Sequence, residues 1–328
     1  MENILVVGGA GYIGSHVVEQ LVRERNNIFI LDNLSTGHKK LINKKAFFLK
    51  GDIKNINLLN KIFINYDFQT IIHLAAHLNV SEAEKNKTKY YKNNIVGTKN
   101  LILASKNSNI KNFIFSSSCS IYGNINGSVS ERKKPNPEGY YAYTKYKGEE
   151  LVKKYSIKHN YKYGIFRYFN VAGASASGEI GEIETSHGHL IKNIAVQSLR
   201  KNAKINIYGN NYPTKDGTCV RDYIHVSDLA DIHIKGIDYL NKNKKSFILN
   251  CGYGKGYSVL EIVKIFKKIK KNLIINYQKR RPGDISKVYS NTKKFNKLIK
   301  WKAKRNDINK IINSAIKFEK KLSFNKKI

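Results

Sequence analysis

The sequence predicts an α/β protein, a doubly wound parallel sheet followed by a smaller α/β lobe, on three observations. The apolar run at residues 4–7 leads into a glycine turn at Gly8, Gly11 and Gly14, and residues 12–25 then have the apolar spacing of a helix. Short apolar runs at 28–31, 46–49, 70–74 and 111–115 alternate with helix-like stretches, the rhythm of parallel strands joined by crossover helices. Small and polar residues gather where those runs end, at the carboxyl edge where such sheets hold ligands.

The first stretch suits a pyrophosphate. A helix N-terminus presents unpaired backbone N–H groups and about half a positive charge. Glycine lets the backbone approach a phosphate with no Cβ between them. The second strand ends at Asp32, near the interval at which a carboxylate grips an adenosine ribose and repels a 2′-phosphate. A glycine-rich turn can also bind nothing. Strand, turn, helix, strand and acid in that order instead read as a Rossmann-type dinucleotide site, with NAD favoured over NADP. Asn33, Leu34, Ser35, Thr36 and Gly37 follow as a loop suited to a ribose.

At the end of the third run, Asp52 with Ile53 fits an adenine edge and face, and an ordinary helix N-cap explains the same Asp equally well. Leu74 closes the fourth run, and Ala75 and Ala76 let a ligand lie against the backbone. Residues 90–105 have helical spacing, with Asn94 toward the cleft, and the fifth run enters Ser116, Ser117 and Ser118. Beyond Phe169 the alternation loosens, and 173–188 reads as a long functional loop. A helix is expected over 189–200, a strand over 205–208 and another over 247–250. Ser227 is expected to cap a helix running to 239, with Asp228 in its first turn. Ser258 with Glu261 reads as a capping box opening a helix over 259–271. From 307 onward the chain reads as a Lys-rich terminal helix and tail.

The stretch at 140–147 carries acid–base chemistry. Tyr143 and Lys147 lie four apart on a predicted helix and share a face; Tyr141 and Lys145 match at the same spacing. A phenol, with an ordinary pKa of about 10, becomes a base beside a lysine ammonium and a cationic ring, at a cost of about 4 kcal/mol to reach pH 7. Ser118, ending the preceding strand, is placed to bridge such a tyrosine and a substrate hydroxyl.

Composition excludes several classes. The 328 residues provide ample core, and no run resembles a signal peptide or a membrane span. Cys119, Cys219 and Cys251 are odd in number and widely spaced, against a disulfide framework or thiolate zinc site and in keeping with a reducing cytoplasm. His187 and His189 lack the further ligands of a metal site, and none is expected. The net charge of +35 is spread along the chain and accompanied by only four prolines, as compositional drift would leave it. A specific nucleic-acid or membrane partner is not expected from it.

A series of motifs runs nearly end to end: GGAGYIGSH, DNLSTGH, GDI, HLAA, YYKNNIVGT, FIFSSSCSIYG, YAYTKYK, FRYFNVAGA, GNNYPTKDGTCVRDYIHVSDLAD and RRPGDI. In these the chain resembles the extended short-chain dehydrogenase/reductase superfamily, and within it the UDP-glucose 4-epimerases. The resemblance implies reversible interconversion of UDP-glucose and UDP-galactose through NAD, in a homodimer paired through the helices carrying Asn94 and Tyr143. It also implies an NAD-binding part over 1–170 and a UDP-sugar-binding part over 171–328, with 219–236 returning to the first. NAD contacts are implied for Tyr12, Ile13, the loop from Asp32 to Gly37, Asp52, Ile53, Leu74, Ala75, Ala76, Asn94, Lys147 and Phe169, beside the glycines and Ser116. Tyr143 is implied as the base, with Ser118 and Lys147 as its partners. Asn170, His189, Leu190, Asn206, Ile207, Tyr208, Arg221, Arg281 and Asp284 are implied to hold the UDP-sugar. Leu78 replaces a lysine that some relatives set near the nicotinamide. Val288 replaces a bulky tyrosine and is expected to leave room for an N-acetyl group. A nucleotide-sugar 4,6-dehydratase is the nearest rival, but Cys119, Ser120 and Ile121 stand where it needs an acid pair.

Overall fold

The computed structural model describes residues 2–24, 27–183, 188–281 and 283–324. Within them the strands are, in chain order, β1 (Asn3–Val7), β2 (Asn27–Asp32), β3 (Phe47–Lys50), β4 (Thr70–His73), β5 (Asn112–Ser118), β6 (Asn126–Val129) and β7 (Lys162–Tyr168). There follow β8 (Asn170–Ala172), β9 (Lys204–Tyr208), β10 (Val220–His225), β11 (Phe247–Cys251), β12 (Gly256–Ser258), β13 (Ile274–Gln278) and β14 (Lys287–Ser290).

Seven parallel strands form the main sheet in the order β11-β7-β5-β4-β1-β2-β3. Strand order reverses between β1 and β4, which opens a crevice at their carboxyl ends. Along β1, Ile4 and Val6 face one core with the helices Tyr12–Glu24 and Val226–Asn243. Leu5 and Val7 face the other core with the helices Ile56–Asn65, Thr98–Ala104 and Tyr140–Lys158. Burial on both faces is why the inner strands β1, β2 and β4 read as continuous apolar runs rather than as an alternation.

The second lobe holds β12-β10-β14-β6, with β8 against β10, and the pair β13-β9. Its core lies under the helices Leu190–Ser198, Val259–Ile269 and Ile308–Phe324. Between β10 and β12 the chain crosses back: Val226–Asn243 packs beside Tyr12–Glu24, and β11 extends the main sheet.

Ser258 and Glu261 form the capping box, but Ser227 is not a cap. The helix begins directly off β10 at Val226, and His225 Nδ1 accepts the Ser227 N–H at 3.1 Å. The expected single helix over 90–105 is divided by a π-helical segment, Tyr91–Gly97, between Lys87–Tyr90 and Thr98–Ala104. Among the described residues no helix is long and apolar enough to cross a membrane, no group of three His, Cys, Asp or Glu could hold a metal ion, and all three cysteines are free. His187 lies outside the described residues.

Candidate active site

One cleft of about 600 Å³ runs from the glycine turn, past the end of β5, to the second lobe. Its first end is a backbone cradle. Gly8 has φ +84, and a Cβ there would lie 2.6 Å from the Ala75 nitrogen across the β1/β4 crevice. At Gly14 a Cβ would lie 2.1 Å from the Gly8 carbonyl oxygen, so this glycine sets how closely helix and turn can pack. Gly14→Ala should therefore leave less than about a tenth of the wild-type dinucleotide in purified protein, measured on nucleotide released by denaturation.

Asp32 ends β2 with its carboxylate fixed by the Ala10 N–H at 3.0 Å and the Leu34 N–H at 2.8 Å. Burial raises its pKa, against the pull of those two donors. Leu34 is held at φ +61 to donate this bond and does not line the cleft, whereas Asn33, Ser35, Thr36 and Gly37 do. Asp52 is likewise turned aside: it takes the Asn33 amide at 3.0 Å and the Lys54 N–H at 2.8 Å, and Ile53 faces the cleft instead. The following helix is capped by Asn55, not Asp52. Asn94 is buried, with its amide spent on His77 and Thr144. The π turn widens the helix by a residue, and Asn93 lines the cleft in its place. Tyr12, Ile13, Leu74, Ala75, Ala76, Ser116 and Phe169 all line it, as does Leu78.

The centre corrects the sequence reading. Tyr141 and Lys145 line the cleft; Tyr143 and Lys147 do not. Tyr143 is 38% exposed, tilted against Tyr140, and Lys147 pairs outside with Glu150 at 2.8 Å. Residues two apart on a helix differ by about 200° in direction, so only one of the two pairs can face the sheet. Lys145 Nζ is buried and donates to the Ser116 carbonyl at 2.8 Å. Burial lowers its pKa to about 7. Burial pushes the Tyr141 phenol up, and the neighbouring Ser118 hydroxyl pulls it down. Ser118 Oγ accepts from Ser120 N–H at 3.2 Å and Ser120 Oγ at 2.9 Å. Serine, tyrosine and a neutralisable lysine thus meet at one strand end, an arrangement that can move a proton on and off a hydroxyl. Cys119, beside them, has its thiol pushed up to about 12 by burial and is no nucleophile.

The far end is cationic. Asp284 accepts from Arg281 Nε at 2.9 Å and lies 3.8 Å from Arg221 Nη2. The Arg281 guanidinium stands 4.8 Å from the Tyr208 ring centre. Two arginines sharing one carboxylate leave a net positive charge suited to a diphosphate, with an aromatic beside it. Asn170, Leu190, Asn206 and Val288 line this end. Ile207 does not: β9 alternates, and Ile207 is buried in the lobe core between exposed Asn206 and Tyr208. His189 is held by Glu182 at 2.6 Å; burial opposes its charge, but the carboxylate outweighs it and raises the pKa.

The chain is similar to known proteins along most of its length. The profile of the NAD dependent epimerase/dehydratase family matches residues 4–252. A UDP-glucose 4-epimerase of Lactobacillus helveticus is 41% identical over 294 residues, 89% of each chain. The crystal structure of UDP-glucose 4-epimerase from Brucella ovis in complex with NAD superposes with a TM-score of 0.91 at 34% identity, over 97% of this chain and 99% of that one. The UDP-Glc/GlcNAc 4-epimerase from Campylobacter jejuni gives a TM-score of 0.84 at 37% identity, over 98% and 100%. The chain belongs to the NAD dependent epimerase/dehydratase family, among the UDP-glucose 4-epimerases.

Proposed function

We propose that this protein interconverts UDP-glucose and UDP-galactose by NAD-dependent oxidation to a 4-keto sugar and re-reduction on the opposite face. The observation that carries the reading is the continuity of one cleft from the glycine cradle and Asp32, past Ser118, Tyr141 and Lys145, to Arg221 and Arg281. The cradle fits a dinucleotide: Gly8 and Gly14 have no room for a Cβ against the neighbouring backbone, so turn and helix end pack closely and present backbone to the cleft. When bound, NAD supplies a hydride acceptor at carbon 4 of the sugar and a cationic ring that draws Tyr141 toward phenolate.

The chain's own residues do the rest. Tyr141 takes the proton of the 4-hydroxyl and later returns it to the same oxygen. Ser118 orients that oxygen, and Lys145 in its ammonium form holds the phenolate. Arg221 and Arg281 anchor the diphosphate away from the reacting carbon, so the hexose can present either face without release. In this reading residues 1–170 hold the dinucleotide and 171–328 the UDP-sugar, with 219–236 returning to the first part. The protein works in the cytoplasm as a homodimer. Tyr91, 48% exposed, and Tyr143 lie on the outer faces of the two helical segments we assign to the pairing surface. Tyr143 thereby has a place outside the chemistry.

Val288 is only 4% exposed at the sugar end, and its small side chain supports acceptance of UDP-N-acetylglucosamine, a sugar the Campylobacter relative's name includes. Purified protein given UDP-galactose, or UDP-N-acetylgalactosamine, with no added cofactor should form the gluco product of each. A 4-keto-6-deoxy product would instead favour a 4,6-dehydratase. No product from either sugar would remove the reading.

A further inference from the structure

We propose that Glu149 and Arg167 are positioning residues: their buried ion pair fixes the rotation of the helix Tyr140–Lys158, so that Tyr141 and Lys145 meet the serine end of β5. The inference rests on the reading of Tyr141 and Lys145 given above.

Tyr141, Lys145 and Glu149 stand at i, i+4 and i+8, one stripe along the inner face of the helix. Glu149 is fully buried, and every bond that holds it comes from the strands beneath the site, apart from the Lys153 ammonium at 3.5 Å. Arg167 grips it with two parallel bonds, Nε to Oε1 at 2.9 Å and Nη2 to Oε2 at 2.8 Å. Ser117 Oγ donates to Oε1 at 2.6 Å. Ser117 and Arg167 are direct partners in the β5/β7 register, and Ser117 precedes Ser118 in the chain. The remaining Arg167 nitrogen donates to the Tyr122 hydroxyl at 2.8 Å, and that hydroxyl donates to Asn250 Oδ1 on β11 at 2.7 Å. One guanidinium therefore ties the helix, the serine strand and the turn after Ser118 into a fixed mutual geometry.

Such a pair is a poor device for stability, since well-packed apolar residues of similar volume serve a core as well or better. Its bidentate geometry does what apolar packing does not: it specifies angle and axial register. A misplacement of about 1 Å between reacting groups can cost on the order of 10²-fold in rate.

The test uses the holoenzyme. In Glu149→Leu/Arg167→Met both charges go together, so no unpaired buried charge is left to unfold the protein. Tyr122→Phe removes only the hydroxyl that steers Arg167, and it decides the matter alone if the double variant fails to fold. With dinucleotide bound, kcat should fall at least tenfold in the double variant and about threefold or more in Tyr122→Phe. KM for UDP-galactose should stay within about threefold, and the kcat–pH profile should shift by half a unit or more. A wild-type kcat and pH profile in the folded variants would overturn the assignment. Tyr141→Phe, run in parallel, separates the two ideas. If it is inactive while the positioning variants are fully active, only the positioning role is lost. If it is active, the base assignment fails and this inference with it.

Discussion

Tyr141→Phe should lower epimerisation by at least about 10²-fold and up to about 10⁴-fold, the span that a positioned acid–base group commands. Tyr143→Phe should stay within about twofold of wild type. The contrast is sharp because both tyrosines sit on one helix with a lysine four residues on, and only direction separates them. Tyr141 lines the cleft with Ser118; Tyr143 faces solvent beside Tyr140. Dinucleotide content should be unchanged in both variants, since neither hydroxyl belongs to the cradle. Steady-state rates with UDP-galactose, alongside nucleotide released on denaturation, check this. Substantial turnover in Tyr141→Phe would reject the base assignment.

Lys145→Met should abolish turnover and make the cofactor-free protein more stable, most of all in acid. The folded pKa of Lys145 is lowered to about 7 by burial, against about 10.4 in an unfolded chain. Between those values the unfolded chain binds a proton that the folded one has released, so stability rises with pH across that window. Below pH 7 both states carry the proton, and the fold bears the full cost of burying the ammonium. At about 1.4 kcal/mol per pKa unit the cost is on the order of 3–5 kcal/mol. It is offset by about 1 kcal/mol for the hydrogen bond to Ser116 that methionine cannot make. Thermal unfolding should show the variant above wild type at pH 6, with the gap closing toward pH 10. A variant less stable than wild type at pH 6 would mean that the lysine is not strained. In the proposed reaction that costly charge is what holds the Tyr141 phenolate.

The sequence made the cofactor end legible because backbone sterics leave few choices there. A glycine triplet between a strand and a helix, with an acid after the next strand, folds in essentially one way, and the strands β1 to β5 of the main sheet follow from short apolar runs; β7, with Gly164 and Arg167 inside it, was not announced that way. The centre was less legible because the helix carries two Tyr–Lys pairs at identical spacing. A signal was present in Gly148, whose Cβ would lie 2.3 Å from the Phe115 ring, so it must face the sheet. Gly148 is three residues beyond Lys145 and seven beyond Tyr141, which puts all three on one face, while Tyr143 and Lys147 point away. Ile207 was equally readable, since strand alternation sends it to the core and leaves Asn206 and Tyr208 for the cleft. Asn93 in place of Asn94 was not readable, because nothing in the apolar spacing announces a π turn. Nor did local spacing reveal that Leu34 and Asp52 turn away to hold Asp32 and Asn33.

The most direct test follows the hydrogen on carbon 4. UDP-galactose deuterated at that carbon, converted by purified protein without added cofactor, should give UDP-glucose that keeps its deuterium at carbon 4, with none released to water. Product that has lost the label to solvent, or that gains deuterium at carbon 4 when the reaction is run in heavy water, would contradict a single closed cleft in which one hydrogen leaves the sugar and returns to it.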